Sequence, residues 1–76
     1  MEQEIRERIN YYADIAKKKG YRDETIDMGI MLACTKNAVE KFGSEEKAFE
    51  EVIKICEKND NPQDFINDVC RLIEID

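Results

Sequence analysis

The side chains in this sequence that could perform chemistry are three cysteines, many carboxylates and one cluster of basic residues. The cysteines are Cys34, Cys56 and Cys70, and the 76 residues include no histidine. A serine or cysteine nucleophile usually needs histidine as its base, and a zinc site usually needs closely spaced cysteines or histidines. Neither pattern is present, so the sequence predicts no enzyme activity, no metal site and no cofactor.

The cysteines point to a reducing environment. Each lies within an apolar run, and their odd number prevents all three from pairing within one chain. We therefore expect buried, reduced thiols, which are typical of cytoplasmic proteins. Near the start of the chain, Glu2, Glu4 and Glu7 stand where a signal peptide would have basic and apolar residues. The expectation is a soluble cytoplasmic protein without a membrane anchor.

The charge is unevenly divided along the chain. The net charge is −6, but residues 1–22 contain six basic and four acidic residues, whereas residues 23–76 contain six basic and fourteen acidic residues. The basic corner at Lys17–Arg22 is one candidate for binding nucleic acid. Its simpler interpretation is that these cations complement the dipole of a helix C-terminus. The acidic balance elsewhere makes direct nucleic-acid binding the less favoured prediction.

A row of carboxylates permits a second hypothesis about nucleic acids. An acidic helix face can imitate a row of phosphates and so block a basic protein. Solvation is the usual role of such a face, and nothing in the sequence would raise the pKa values of these groups for acid catalysis. The candidate residues are Glu45, Glu46, Glu50, Glu51, Glu57 and Asp60.

The sequence predicts an all-α protein, a compact four-helix bundle with short loops that forms a single domain over residues 1–76. Apolar residues recur at helical spacing over 2–19, 24–42, 45–58 and 62–74. The expected helix boundaries are marked by turn and capping residues, namely Gly20, Asp23, Gly43, Ser44, Asn61 and Pro62.

The second predicted helix has the most apolar stretch of the chain. Residues 28–34 read Met-Gly-Ile-Met-Leu-Ala-Cys, without a charge or a strongly polar group. A helical segment that is apolar on every side is normally buried on every side. The stretch therefore predicts a central helix around Met31, and Gly29 predicts close approach of another helix at that point.

The apolar residues exceed what the interior of a small bundle can hold. Ile55 and Leu72 fall beside the main apolar rows of their helices, and Met28 and Met31 add to the excess. Part of this surface is expected to face a partner. The sequence therefore predicts a small acidic regulator, inhibitor or adaptor that acts by protein–protein interaction, with a homodimer as one form. The candidate interaction residues are Met28, Met31, Ile55, Leu72, Glu45, Glu46, Glu50 and Glu51.

Overall fold

A computed structural model describes residues 2–74, apart from the side chain of Glu2, as five helices without a strand. The helices are α1 (Glu2–Lys18), α2 (Asp23–Ala33), α3 (Lys36–Phe42), α4 (Glu45–Lys58) and α5 (Pro62–Ile73). The all-α prediction is confirmed. The four-helix bundle is not confirmed, because the helix expected over 24–42 is divided into α2 and α3 and the helices number five among the described residues. Within the described residues, no helix is long and apolar enough to cross a membrane.

The division between α2 and α3 falls at Thr35, whose hydroxyl group bonds to the backbone of both helices. Thr35 Oγ1 donates to the carbonyl oxygen of Leu32 at 2.8 Å and accepts from the backbone N–H of Ala38 at 3.2 Å. The residue has an extended backbone, with φ −69° and ψ 153°. Threonine side chains compete with helical hydrogen bonds in this way and serve well as N-caps. The apolar pattern runs through this point and so concealed the break.

The helix with the most buried residues is α4, not the predicted helix around Met31. Both α2 and α4 touch each of the other four helices. However, α4 buries six residues, Ala48, Phe49, Val52, Ile53, Ile55 and Cys56, whereas α2 buries Ile26, Gly29 and Ala33. The core is therefore assembled on α4.

Helix α2 is packed on one side only, which corrects the expectation of burial all round. Its buried residues Ile26, Gly29 and Ala33 are spaced i, i+3 and i+7, and so share one face. Met28 and Met31 lie on the other side, where 42% and 67% of their surface is exposed. A domain of this size has too little chain to cover every face of a helix.

Most of the predicted helix boundaries are confirmed. Gly20 and Gly43 have φ values of 85° and 96°, in the left-handed region that glycine adopts without strain. Ser44 Oγ accepts from the backbone N–H of Lys47, and Asn61 Oδ1 accepts from the two backbone N–H groups that follow Pro62. Asp23 is not an N-cap: it is the first helical residue, and Arg22 precedes it without a side-chain cap.

The close approach predicted at Gly29 is present. The fully buried ring of Tyr12, on α1, lies directly against Gly29, and its hydroxyl group donates to the carbonyl oxygen of Ile26 at 2.9 Å. Phe65, on α5, closes the same contact, with its ring centroid 5.9 Å from that of Tyr12. A side chain at position 29 would occupy the space that these rings fill. Gly29 therefore lets three helices meet.

The relative importance of α4 and α2 can be measured by truncating one side chain in each. Phe49→Ala is expected to lower the free energy of unfolding by about 3–5 kcal/mol, because it opens a cavity in the core. Met31→Ala is expected to change it by less than about 0.5 kcal/mol, as is usual at the surface. Urea denaturation followed by circular dichroism measures both. A larger loss for Met31→Ala would contradict the assignment of the core to α4.

A second prediction concerns the Gly29 contact. Alanine has the higher helix propensity by about 1 kcal/mol, so an open helix site would gain stability from Gly29→Ala. Here the added methyl group would meet the Tyr12 ring and lie 3.1 Å from the Phe65 ring. Because overpacking costs about 1–3 kcal/mol, we expect a net loss in urea denaturation. Tyr12→Phe provides the matched background. In it, Gly29→Ala should lower the free energy of unfolding by less, because the hydroxyl group that the added methyl group would meet is gone. A gain in stability from Gly29→Ala alone would show that the contact is not restrictive.

Candidate functional site

The three cysteines differ in their exposure. Cys56 is buried, as predicted, whereas Cys34 and Cys70 are exposed, which corrects the expectation of three buried thiols. Cys34 follows the last turn of α2, and Cys70 lies beside the buried row of α5. Burial raises the pKa values of Cys34 and Cys56, and the Glu45 carboxylate raises that of Cys34 further. Both groups are therefore held as thiols, the less nucleophilic form. No cluster of three potential metal ligands occurs among the described residues.

Several carboxylates on α4 have partners within the same chain. Glu50 forms an ion pair of 2.7 Å with Arg8 on α1, and Glu51 forms one of 3.2 Å with Lys54. At the end of the helix, the Glu57 carboxylate accepts from Tyr11 Oη at 3.3 Å. A phosphate-like row would need carboxylates without such internal partners. The acidic face predicted for a partner is therefore partly neutralised within the chain.

In the basic corner, the side chain of one residue bonds to another part of the chain, whereas the other three form no ion pair among the described residues. Lys19 Nζ donates to the carbonyl oxygens of Glu57 and Asn59 at 2.9 and 3.1 Å, and to Asp60 Oδ1 at 3.2 Å. Its ammonium group thereby satisfies carbonyl groups at the C-terminal end of α4. The other three basic residues of the corner are exposed and form no ion pair among residues 2–74. These are Lys17, Lys18 and Arg22.

Three of the predicted interaction residues, Ile55, Leu72 and Glu51, meet in a groove between α4 and α5. Ile55, which is buried, and Leu72, which is half-buried, line an open groove of about 670 Å³. Its other lining residues are three acidic and three basic side chains, namely Glu51, Glu57, Asp68, Lys54, Lys58 and Arg71. The groove is therefore apolar between the two helices, with balanced charges around it.

The two predicted methionines lie on a different surface, the outer face of α2. Met28 and Met31 are one turn apart, and Met28 also lines a cleft of about 300 Å³ next to α5, whose lining includes Pro62 and Ile66. Glu24 and Asp27 lie one turn before the two methionines, at positions i−4. We name the surface formed by Glu24, Asp27, Met28 and Met31 the α2 outer face.

Five of the eight predicted interaction residues lie on two surfaces, one on each side of α5. Ile55, Leu72 and Glu51 belong to the α4–α5 groove, and Met28 and Met31 belong to the α2 outer face. Glu45, Glu46 and Glu50 lie outside both. Sequence reasoning missed Glu24 and Asp27 as neighbours of the methionines. Their spacing of four residues from Met28 and Met31 was the signal that marked them.

The remaining large exposed apolar side chain among the described residues differs from the methionines in its bonding. Tyr11 is 53% exposed, but its hydroxyl group donates to the carboxylate of Glu57 on α4. Met28 and Met31 have no polar group that could be satisfied by the chain or by water. Among the large exposed apolar residues of the described chain, the two methionines are therefore the ones whose contact with water is not offset by a hydrogen bond.

Comparison with known proteins adds no relative to this description. No protein-family model matches the chain, and neither a curated protein nor a solved structure matches it.

Proposed function

We propose that this chain is a non-catalytic interaction protein that binds another protein through its α2 outer face. The observation that carries the proposal is the exposure of Met28 and Met31, at 42% and 67%, side by side on one helix. Methionine is flexible and polarisable, and is common on surfaces that adapt to a partner. Adjacent exposed apolar residues of this kind are typical of interaction sites.

The exposed apolar area sets the strength expected of such an interaction. Together the exposed parts of Met28 and Met31 amount to roughly one whole methionine side chain. Burying that amount contributes about 1.5–3 kcal/mol. Association costs more than this in lost freedom of motion, so a partner must add further contacts around the methionines. A regulated, reversible complex fits this balance better than a permanent one.

A homodimer remains a prediction, and the charges of α2 weigh against one particular form of it. In a two-fold dimer, the same surface of both copies is apposed. Helix α2 contains Asp23, Glu24 and Asp27 but no basic residue. Apposed α2 outer faces would therefore bring like charges together, which costs stability. Light scattering after size exclusion, over a range of concentrations, distinguishes a dimer from the 8.9 kDa chain.

The nucleic-acid alternatives have weaker support. The acidic face of α4 lies beside Arg8, Lys54 and Lys19, which reduces its likeness to a row of phosphates. The basic corner offers three exposed cations on a chain of net charge −6. Such a small cluster is expected to bind phosphate groups weakly and in a strongly salt-dependent way. We also keep the hypothesis of a cytoplasmic location, on the chemistry of three unpaired cysteines.

Site-specific crosslinking tests the proposed function. A photoreactive amino acid is placed at Met31 and, as the matched control, at the exposed Lys47 on α4. In cells of the native host, the Met31 variant is expected to yield a discrete crosslinked species that the Lys47 variant does not. Mass spectrometry then identifies the second protein, or a second copy of this chain.

Two results would contradict the proposal. One is the absence of a crosslinked species from the Met31 variant, although the protein is present and folded. The other is the same pattern of products from both variants, since the α2 outer face would then have no preference over the rest of the surface.

A further inference from the structure

The α2 outer face combines apolar and acidic groups in one repeating arrangement. Glu24 lies four residues before Met28, and Asp27 lies four residues before Met31. Residues four apart in a helix are neighbours on its surface. Each exposed methionine therefore has a carboxylate beside it.

These two carboxylates differ from Glu50 and Glu51 of α4 in their partners. Glu50 and Glu51 are held in ion pairs by cations of the same chain. Glu24 and Asp27 are exposed and form no ion pair among residues 2–74. Arg22, the nearest basic residue in the sequence, is also exposed and pairs with neither. No cation of the described chain therefore neutralises this face through an ion pair.

The charge and the apolar groups together specify the partner. A second copy of α2 would present carboxylates to carboxylates, and an acidic or neutral partner would leave Glu24 and Asp27 without a counter-charge. A partner with alternating apolar and basic side chains satisfies both kinds of group at once. The open cleft beside Met28, next to Pro62 and Ile66 of α5, adds apolar surface along one side of this face.

We propose that the α2 outer face binds an amphipathic helix of another protein, whose apolar residues cover Met28 and Met31 and whose lysines or arginines pair with Glu24 and Asp27. This inference rests on the proposed function and specifies the chemistry of its partner. Helix-in-groove recognition uses such apolar anchors at positions i, i+3, i+4 and i+7. Flanking charges then select between helices that have the same apolar pattern.

The test uses the full chain, isotopically labelled, and two designed peptides of about 15 residues, long enough to form a helix when bound. Both peptides have leucine at the four anchor positions; the remaining positions are mostly lysine in one and mostly glutamate in the other. Amide chemical shifts report where each peptide binds, and their titration gives the affinity. We expect the lysine peptide to bind at α2 and the first turns of α5, and more tightly than the glutamate peptide. Raising the salt concentration from about 0.02 M to about 0.5 M should reduce the difference in affinity between the two peptides, because salt screens the charges.

Matched variants separate specific pairing from overall charge. Glu24→Gln combined with Asp27→Asn should weaken binding of the lysine peptide about three- to tenfold at low salt, as expected for two exposed ion pairs. Glu7→Gln combined with Asp14→Asn makes the same change in net charge at exposed positions of α1, and should weaken it less than about twofold. Met28→Gln combined with Met31→Gln should weaken the binding of both peptides, because it removes the apolar contact and leaves the charges of the α2 outer face unchanged.

Three results would overturn the inference: equal affinity for the two peptides, shifts centred on the α4–α5 groove, or equal effects of the two charge-neutralising pairs. Failure of the proposed function is distinguishable from these. If the Met31 crosslink forms in the host but the lysine peptide has no advantage, only the chemistry assigned to the partner is wrong. If no crosslink forms, the α2 outer face is not an interaction site.

Discussion

The contact between Tyr12 and Gly29 is the constraint on which the arrangement of the helices depends. The hydroxyl group of Tyr12 reaches the backbone of α2 only because position 29 has no side chain, and Phe65 closes against the same point. This contact fixes which side of α2 faces the core. Since Met28 and Met31 lie about 100° and 160° from Gly29 around the helix axis, in the same direction, they are turned away from α1. The packing of one glycine thus determines the exposure of two methionines.

Tyr21 shows how the same cluster extends to the loop between α4 and α5. Its ring lies 5.4 Å from that of Phe65, and its hydroxyl group donates to the carbonyl oxygen of Asn59. Burial raises the pKa values of both Tyr12 and Tyr21, so both phenols keep the proton that they donate. Asn59 in turn donates to Ile55 and Asp68, which links α4 to α5. Buried aromatic rings and their hydroxyl groups therefore connect four of the five helices.

The parts of the fold that follow from local chemistry could be predicted from the sequence. Gly20, Gly43, Ser44 and Asn61 end or begin helices for reasons that lie within a few residues of each. The rotation of α2 could not be predicted, because an apolar stretch without polar groups gives no periodic signal. The burial of Ile55 was missed for a related reason: it lies beside the main row of α4, and only the positions of the neighbouring helices decide that it is covered.

The candidate site, like the fold, could be predicted only in part. Met28 and Met31 were correctly counted among the apolar residues that exceed what the core can hold. The prediction that their helix is buried at the centre of the protein was wrong, because both side chains are exposed. The ion pair between Arg8 and Glu50 joins residues 42 positions apart, and the contacts of Lys19 with the end of α4 span about as many. No local pattern predicts such pairs. The availability of each carboxylate for a partner therefore became apparent only from the fold.

The hydroxyl group of Thr35 has a consequence for how this sequence can diverge. It accepts a hydrogen bond from the backbone N–H of Ala38 and donates one to the carbonyl oxygen of Leu32. A residue that replaces it must therefore accept and donate a hydrogen bond from an extended backbone conformation. Aspartate and asparagine are good N-caps, but aspartate cannot donate and asparagine carries its donor and its acceptor on two different atoms, whereas serine keeps both on one hydroxyl oxygen as in Thr35. Among relatives that retain five helices, position 35 is therefore expected to drift between threonine and serine, while a change to alanine or leucine would favour joining α2 and α3 into one longer helix.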